Sequence, residues 1–172
     1  MRNQKLTIIS ATAVSGAASG LLLSTDLTTS LGLTYGPGLC FGLVTAWLFM
    51  KLRRATKLRA IIWVAASIIS WRIALAVYLM ITNAEVTLAA LALAGVTGGL
   101  LLGLGAWLLK FLPEPTHIIE LAISGSVLGA AMYLLFMTDS FPTVTLMLNF
   151  ALWQIGMGLM LFRGSPANPR RA

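Results

Sequence analysis

The chain has 172 residues, 58% of them hydrophobic and only 10% charged, and its net charge at neutral pH is +7. A soluble domain carries about 25% charged residues. A soluble core of this size cannot hide so much apolar surface, so most of the chain has lipid as its solvent. The single cysteine, Cys40, excludes an internal disulfide framework, a CxxC redox pair and a multi-cysteine metal site.

A spanning helix takes about 20 mostly apolar residues. Six segments qualify, over residues 6–24, 31–50, 60–82, 86–112, 117–137 and 143–162. The first follows Arg2 and Lys5. It reads as a span rather than a cleaved signal peptide, because its apolar run is long for an h-region even though "SGAASG" offers small residues. The second is interrupted by Tyr35-Gly36-Pro37-Gly38, which predicts a short, broken or partly re-entrant helix. The third carries Arg72 near its middle. The fourth is long enough to tilt. The fifth follows "PEPTHIIE", and the sixth contains Asn149, Trp153 and Gln154. Residues 1–163 therefore form one all-α domain of six transmembrane helices, and 164–172 a short basic cytoplasmic tail.

The charges of the connections alternate. Arg2 and Lys5 are followed by Asp26, then by Lys51, Arg53, Arg54, Lys57 and Arg59, then by Glu85. Lys110 with Glu114, His117 and Glu120 comes next, then Asp139, then Arg163, Arg170 and Arg171. Lys and Arg are thus confined to one side, which the positive-inside rule makes cytoplasmic. The expectation is a multi-pass plasma (inner) membrane protein with both termini in the cytoplasm. Basic residues placed between apolar runs also account for the net charge without nucleic acid, and no nucleic-acid-binding motif is present.

Three pairs of segments resemble one another at similar spacing. "GAASGLLL" (16–23) aligns with "GVTGGLLL" (95–102), "GLCFGLVTAWLFM" (38–50) with "GSVLGAAMYLLFM" (125–137), and "WRIALAVYLM" (71–80) with "WQIGMGLMLF" (153–162). Spans one to three then match spans four to six. Because three is odd, the second copy is inverted in the membrane, the arrangement of many secondary transporters with a midplane site at the repeat interface. Chance alignment of Leu-, Gly- and Ala-rich helices is the competing reading.

GxxxG spacing occurs at Gly16/Gly20, Gly38/Gly42, Gly95/Gly99/Gly103 and Gly125/Gly129. It puts the glycines on one helix face, where backbones approach closely, either within the bundle or at a homodimer interface. Spans three and six lack the motif and carry a central Trp followed by a polar residue, so they are expected to line any site.

Counted along its span, Arg72 lies roughly 15 Å from either surface. An intramembrane charge costs about 2.5–3.5 kcal/mol even on the gentler insertion scales and marks a candidate site. No carboxylate of the chain shares its depth; the level groups are neutral, among them Thr97 and Gln154. An anionic ligand, a lipid headgroup, cavity water, backbone carbonyls or a partner subunit remain to balance it. His117 and Glu120, at i and i+3, fit a helix N-terminus and form a secondary candidate for proton coupling.

No nucleophile elbow, P-loop, dinucleotide motif or metal cluster is present, so no catalytic residue, metal or cofactor is expected. The leading expectation is a small carrier or substrate-binding membrane subunit for an anionic or carboxylate-bearing solute. Arg72 would be the counter-charge, with Trp71, Trp153, Gln154 and Thr97 shaping the pocket. Two alternatives stand beside it. One is a non-catalytic membrane subunit, assembly factor or scaffold whose Arg72 meets an acid on a partner chain. The other is a membrane enzyme that holds a lipid headgroup phosphate at Arg72 or at the basic 51–59 loop.

Overall fold

The computed structural model describes residues 2–24, 32–52, 55–82, 87–137 and 142–163. They form six α-helices: α1 (Arg2–Ser24), α2 (Gly32–Lys51), α3 (Lys57–Ile81), α4 (Leu88–Leu108), α5 (Thr116–Met137) and α6 (Pro142–Phe162). Among the described residues there is no strand. Five of the helices, all but α2, are long and apolar enough over their described residues to cross a membrane, which marks a multi-pass membrane protein. The tail 164–172 and the segments 25–31, 53–54, 83–86 and 138–141, which hold Asp26, Arg53, Arg54, Glu85 and Asp139, lie outside the described residues.

Each helix packs against its neighbours in sequence, and α6 returns to α1, so the six close into a ring. Glycines set the closest approaches. A Cβ on Gly95, Gly99 or Gly103 would strike α5 at Gly125, Leu121 and Ile118 in turn. One on Gly16 or Gly20 would strike α6 at Ala151 and Met147, and one on Gly38 or Gly42 would meet α3 at Ile68 and Val64. The partner number falls as the glycine number rises, so these pairs are antiparallel. All nine GxxxG glycines, Gly125 and Gly129 included, press on another helix of the same chain. Lipid gives helices no hydrophobic reason to associate; close backbone approach supplies the van der Waals contact instead. The two aligned motifs "GAASG" and "GVTGG" meet non-equivalent neighbours. Gly16 packs on α6, whereas Gly95 packs on α5 rather than on α3, the counterpart of α6 in the inverted-repeat correspondence.

Up-and-down order gathers Lys5, Lys51, Lys57, Arg59, Lys110 and Arg163 at one end of the bundle, here called the basic end. Two helices depart from their expected course. Residues 31–50, interrupted by Tyr35-Gly36-Pro37-Gly38, were expected to form a short, broken or partly re-entrant helix, yet α2 runs through Pro37 without a break. Pro37 lies in the second turn, where its missing N–H removes a single helical bond.

The apolar run 86–112 was expected to be one helix, but α4 stops at Leu108. Lys110 adopts φ 57°. Its N–H donates to the Trp107 carbonyl (2.8 Å) and that of Phe111 to the Ala106 carbonyl (2.8 Å). This is a Schellman turn, and it folds the buried Phe111 and Leu112 back into the basic end of the core. Left-handed backbone disfavours residues with a Cβ, and β-branched ones most. Lys110→Val is therefore expected to lower stability by about 1 kcal/mol, while Lys110→Gly is expected not to lower it. Unfolding of both variants in one detergent checks the order.

The basic end is sealed by aromatic rings. Phe49 stacks on Phe111 (4.1 Å between centroids) and meets Phe162 (4.6 Å) and Trp63 edge-on (5.5 Å). All four rings are buried. The Trp63 indole N–H donates to Thr45 Oγ1 (2.7 Å), whose own proton goes to the Phe41 carbonyl (2.6 Å). The plug thus carries no unmet indole donor.

Candidate functional site

Above the plug the ring of helices does not close on its axis. A cavity of about 200 Å³ lies there. Small residues open it: Gly98 and Ala74 face each other across α4 and α3, where larger side chains would meet. Four rings wall it. Phe41 meets Trp153 at 5.8 Å and Trp71 meets Phe150 at 5.5 Å, both edge-on. Gln154 lies eight residues from the end of α6, about 12 Å from the basic end. Tyr78 and Leu146, which also line the cavity, lie near the opposite ends of α3 and α6. The cavity therefore occupies the half of the bundle away from the basic charges.

Its walls are almost wholly apolar, for reasons visible in the bonding. Ser67 Oγ donates to the Gly38 carbonyl (2.9 Å) and Ser70 Oγ to the Ala66 carbonyl (2.8 Å), so both hydroxyl protons are spent on backbone. Gln154, fully buried, donates from Nε2 to Ser19 Oγ on α1 (2.9 Å). Several buried polar atoms find no partner among the described residues. They are Ser15 Oγ, His117 Nδ1, both amide atoms of Asn149 and Gln154 Oε1, and of these only Gln154 Oε1 belongs to a cavity-lining residue.

Of the residues expected at a site, Trp71, Trp153 and Gln154 are brought together in this cavity. Arg72 and Thr97 are not among its lining residues. Thr97 is half-buried and its hydroxyl donates to the Leu93 carbonyl of its own helix (2.9 Å). Arg72 points outward and is exposed. Its guanidinium sits over the Tyr35 ring, 5.2 Å from the centroid, within the range of a cation–π contact, worth about 2 kcal/mol when desolvated. Among the described residues no ion pair answers it. Arg72 and Gln154 thus serve different surfaces. His117 and Glu120 stand at the start of α5, at the basic end and outside the cavity lining.

Sequence reasoning missed Tyr35, Ser19 and Gly98. A polar stripe at Thr12, Ser15 and Ser19, spaced i, i+3 and i+7 in an apolar span, was a readable sign of a buried α1 face. Nothing in "GVTGG" separates Gly98 from its packing neighbours except helical phase. Among the described residues no cluster of His, Cys, Asp and Glu is placed to hold a metal ion. No protein-family model, curated protein or solved structure matches the chain.

Proposed function

We propose that this chain is a small membrane carrier or ligand-binding membrane subunit whose ligand enters the cavity inside the ring of six helices. The observation that carries the reading is the pairing of an apolar chamber in one half of the bundle with an aromatic plug in the other. A binding site closed off from one end of the bundle is what a carrier presents in one of its two states. An apolar engineered cavity of about 150 Å³ stays dry and takes up a benzene-sized molecule, so a chamber of this size and lining suits a compact apolar ligand. An anionic solute draws no support from the lining, because the charge that would hold it lies outside. Orientation with the basic end in the cytoplasm follows from the positive-inside rule and would turn the chamber outward. Organic extraction of the purified protein tests the reading. It predicts a compact apolar compound at about one per chain, enriched over the bulk membrane extract; an extract identical to that of the surrounding lipid would count against it.

A second reading rests on Arg72. Exposed on the outer side of α3, with the Tyr35 ring beneath it, it suits a carboxylate on a partner's helix, as in a scaffold or assembly subunit. Purification in a gentle detergent is then expected to retain a stoichiometric membrane partner that Arg72→Ala loses. A partner retained by that variant, or absent from the wild type, would remove this reading.

A further inference from the structure

We infer that the cavity prefers a ligand carrying a neutral hydrogen-bond donor, such as a phenol or an alcohol, and that Gln154 Oε1 is the acceptor that recognises it. The inference rests on the ligand-binding reading of the cavity given above. It follows from the order of three bonds. Ser19 has a single hydroxyl proton, and that proton goes to the Ser15 carbonyl at 2.8 Å. Toward Gln154, therefore, Ser19 Oγ acts only as an acceptor, and it takes the proton of Nε2 at 2.9 Å. The amide is locked with its nitrogen on α1 and its oxygen elsewhere. That oxygen is fully buried and has no partner among the described residues. The two serines of the wall, Ser67 and Ser70, have already given their protons to backbone carbonyls. An incoming donor satisfies an acceptor otherwise left unmet, whereas a hydrocarbon of the same shape leaves it so. A site built this way rejects the ligand that lacks the donor more strongly than it rejects a small change in size.

The test uses two probes of nearly equal shape, para-bromophenol and para-bromotoluene, which differ by a hydroxyl in place of a methyl. Bromine quenches tryptophan emission, and Trp71 and Trp153 stand in the cavity wall. Titrations of the whole chain in lipid nanodiscs are compared at equal probe concentration in the lipid phase. The wild type is expected to bind the phenol about tenfold more tightly, and Gln154→Met is expected to bind both alike. Equal affinities in the wild type, or a preference that survives in Gln154→Met, would overturn the inference while leaving the cavity as a binding site. Absence of saturable quenching by either probe would overturn the cavity reading itself, and this inference with it. Should Gln154→Met not fold, the wild-type ratio alone decides.

Discussion

Gly95→Ala is expected to lower the stability of the bundle by about 3 kcal/mol, whereas Gly98→Ala, three residues along the same helix, is expected to change it by less than about 0.5 kcal/mol. At position 95 an added Cβ falls on the backbone carbonyl of Gly125. Neither a glycine nor a helical carbonyl has a rotamer to yield, so α4 and α5 must separate. In lipid that separation forfeits packing along the whole seam, with no hydrophobic term to hold the helices together. At position 98 the added Cβ would lie 3.5 Å from Ala74 Cβ and 3.8 Å from the Trp153 ring, ordinary contact distances. Unfolding of both variants in one detergent measures the difference. Equal losses would mean that α4 does not present these faces as described.

The same position gives the second large effect. Gly98→Phe is expected to leave the fold intact and to weaken binding of a cavity ligand at least about tenfold. Room for a Cβ exists at Gly98, and the rest of the ring has only the cavity to occupy. Ligand and side chain then compete for one volume of about 200 Å³. Unfolding that matches the wild type, together with lost binding, is the combination to look for. Undiminished binding in a folded Gly98→Phe would place the ligand elsewhere.

Much of this architecture is legible in the residues alone. Lipid-facing and interior residues are both apolar, so length and charge alternation reveal the spans. Glycine spacing reveals the close contacts, because only glycine lets two backbones touch. Trp71, Trp153 and Gln154 stand out as large or polar groups central in spans without GxxxG, and they share the cavity. The direction of Arg72 does not stand out. In a soluble helix an apolar stripe distinguishes core from surface, but α3 is apolar around most of its circumference. Trp71 and Arg72, one residue and about 100° apart, are then equally eligible to face inward. Packing decides: Gly38 and Gly42 draw α2 against the Ser67 side of α3, which turns Trp71 to the cavity and Arg72 out over Tyr35. The end of α4 was hidden for another reason. Phe111 and Leu112 continue an apolar run, and a lysine at the left-handed position gives none of the warning that a glycine there would.

The claim on which the rest depends is that the chamber above the aromatic plug takes up an apolar molecule. Trp47 and Trp107 are exposed on the bundle surface and report on lipid, so both are replaced by Phe. The remaining emission comes from Trp63 in the plug and from Trp71 and Trp153 in the cavity wall. Titration of this protein in nanodiscs with para-bromotoluene is predicted to quench it saturably, and Gly98→Phe is predicted to abolish the saturable part. Quenching that only grows in proportion to the probe dissolved in lipid, identical with and without Gly98→Phe, would contradict the account.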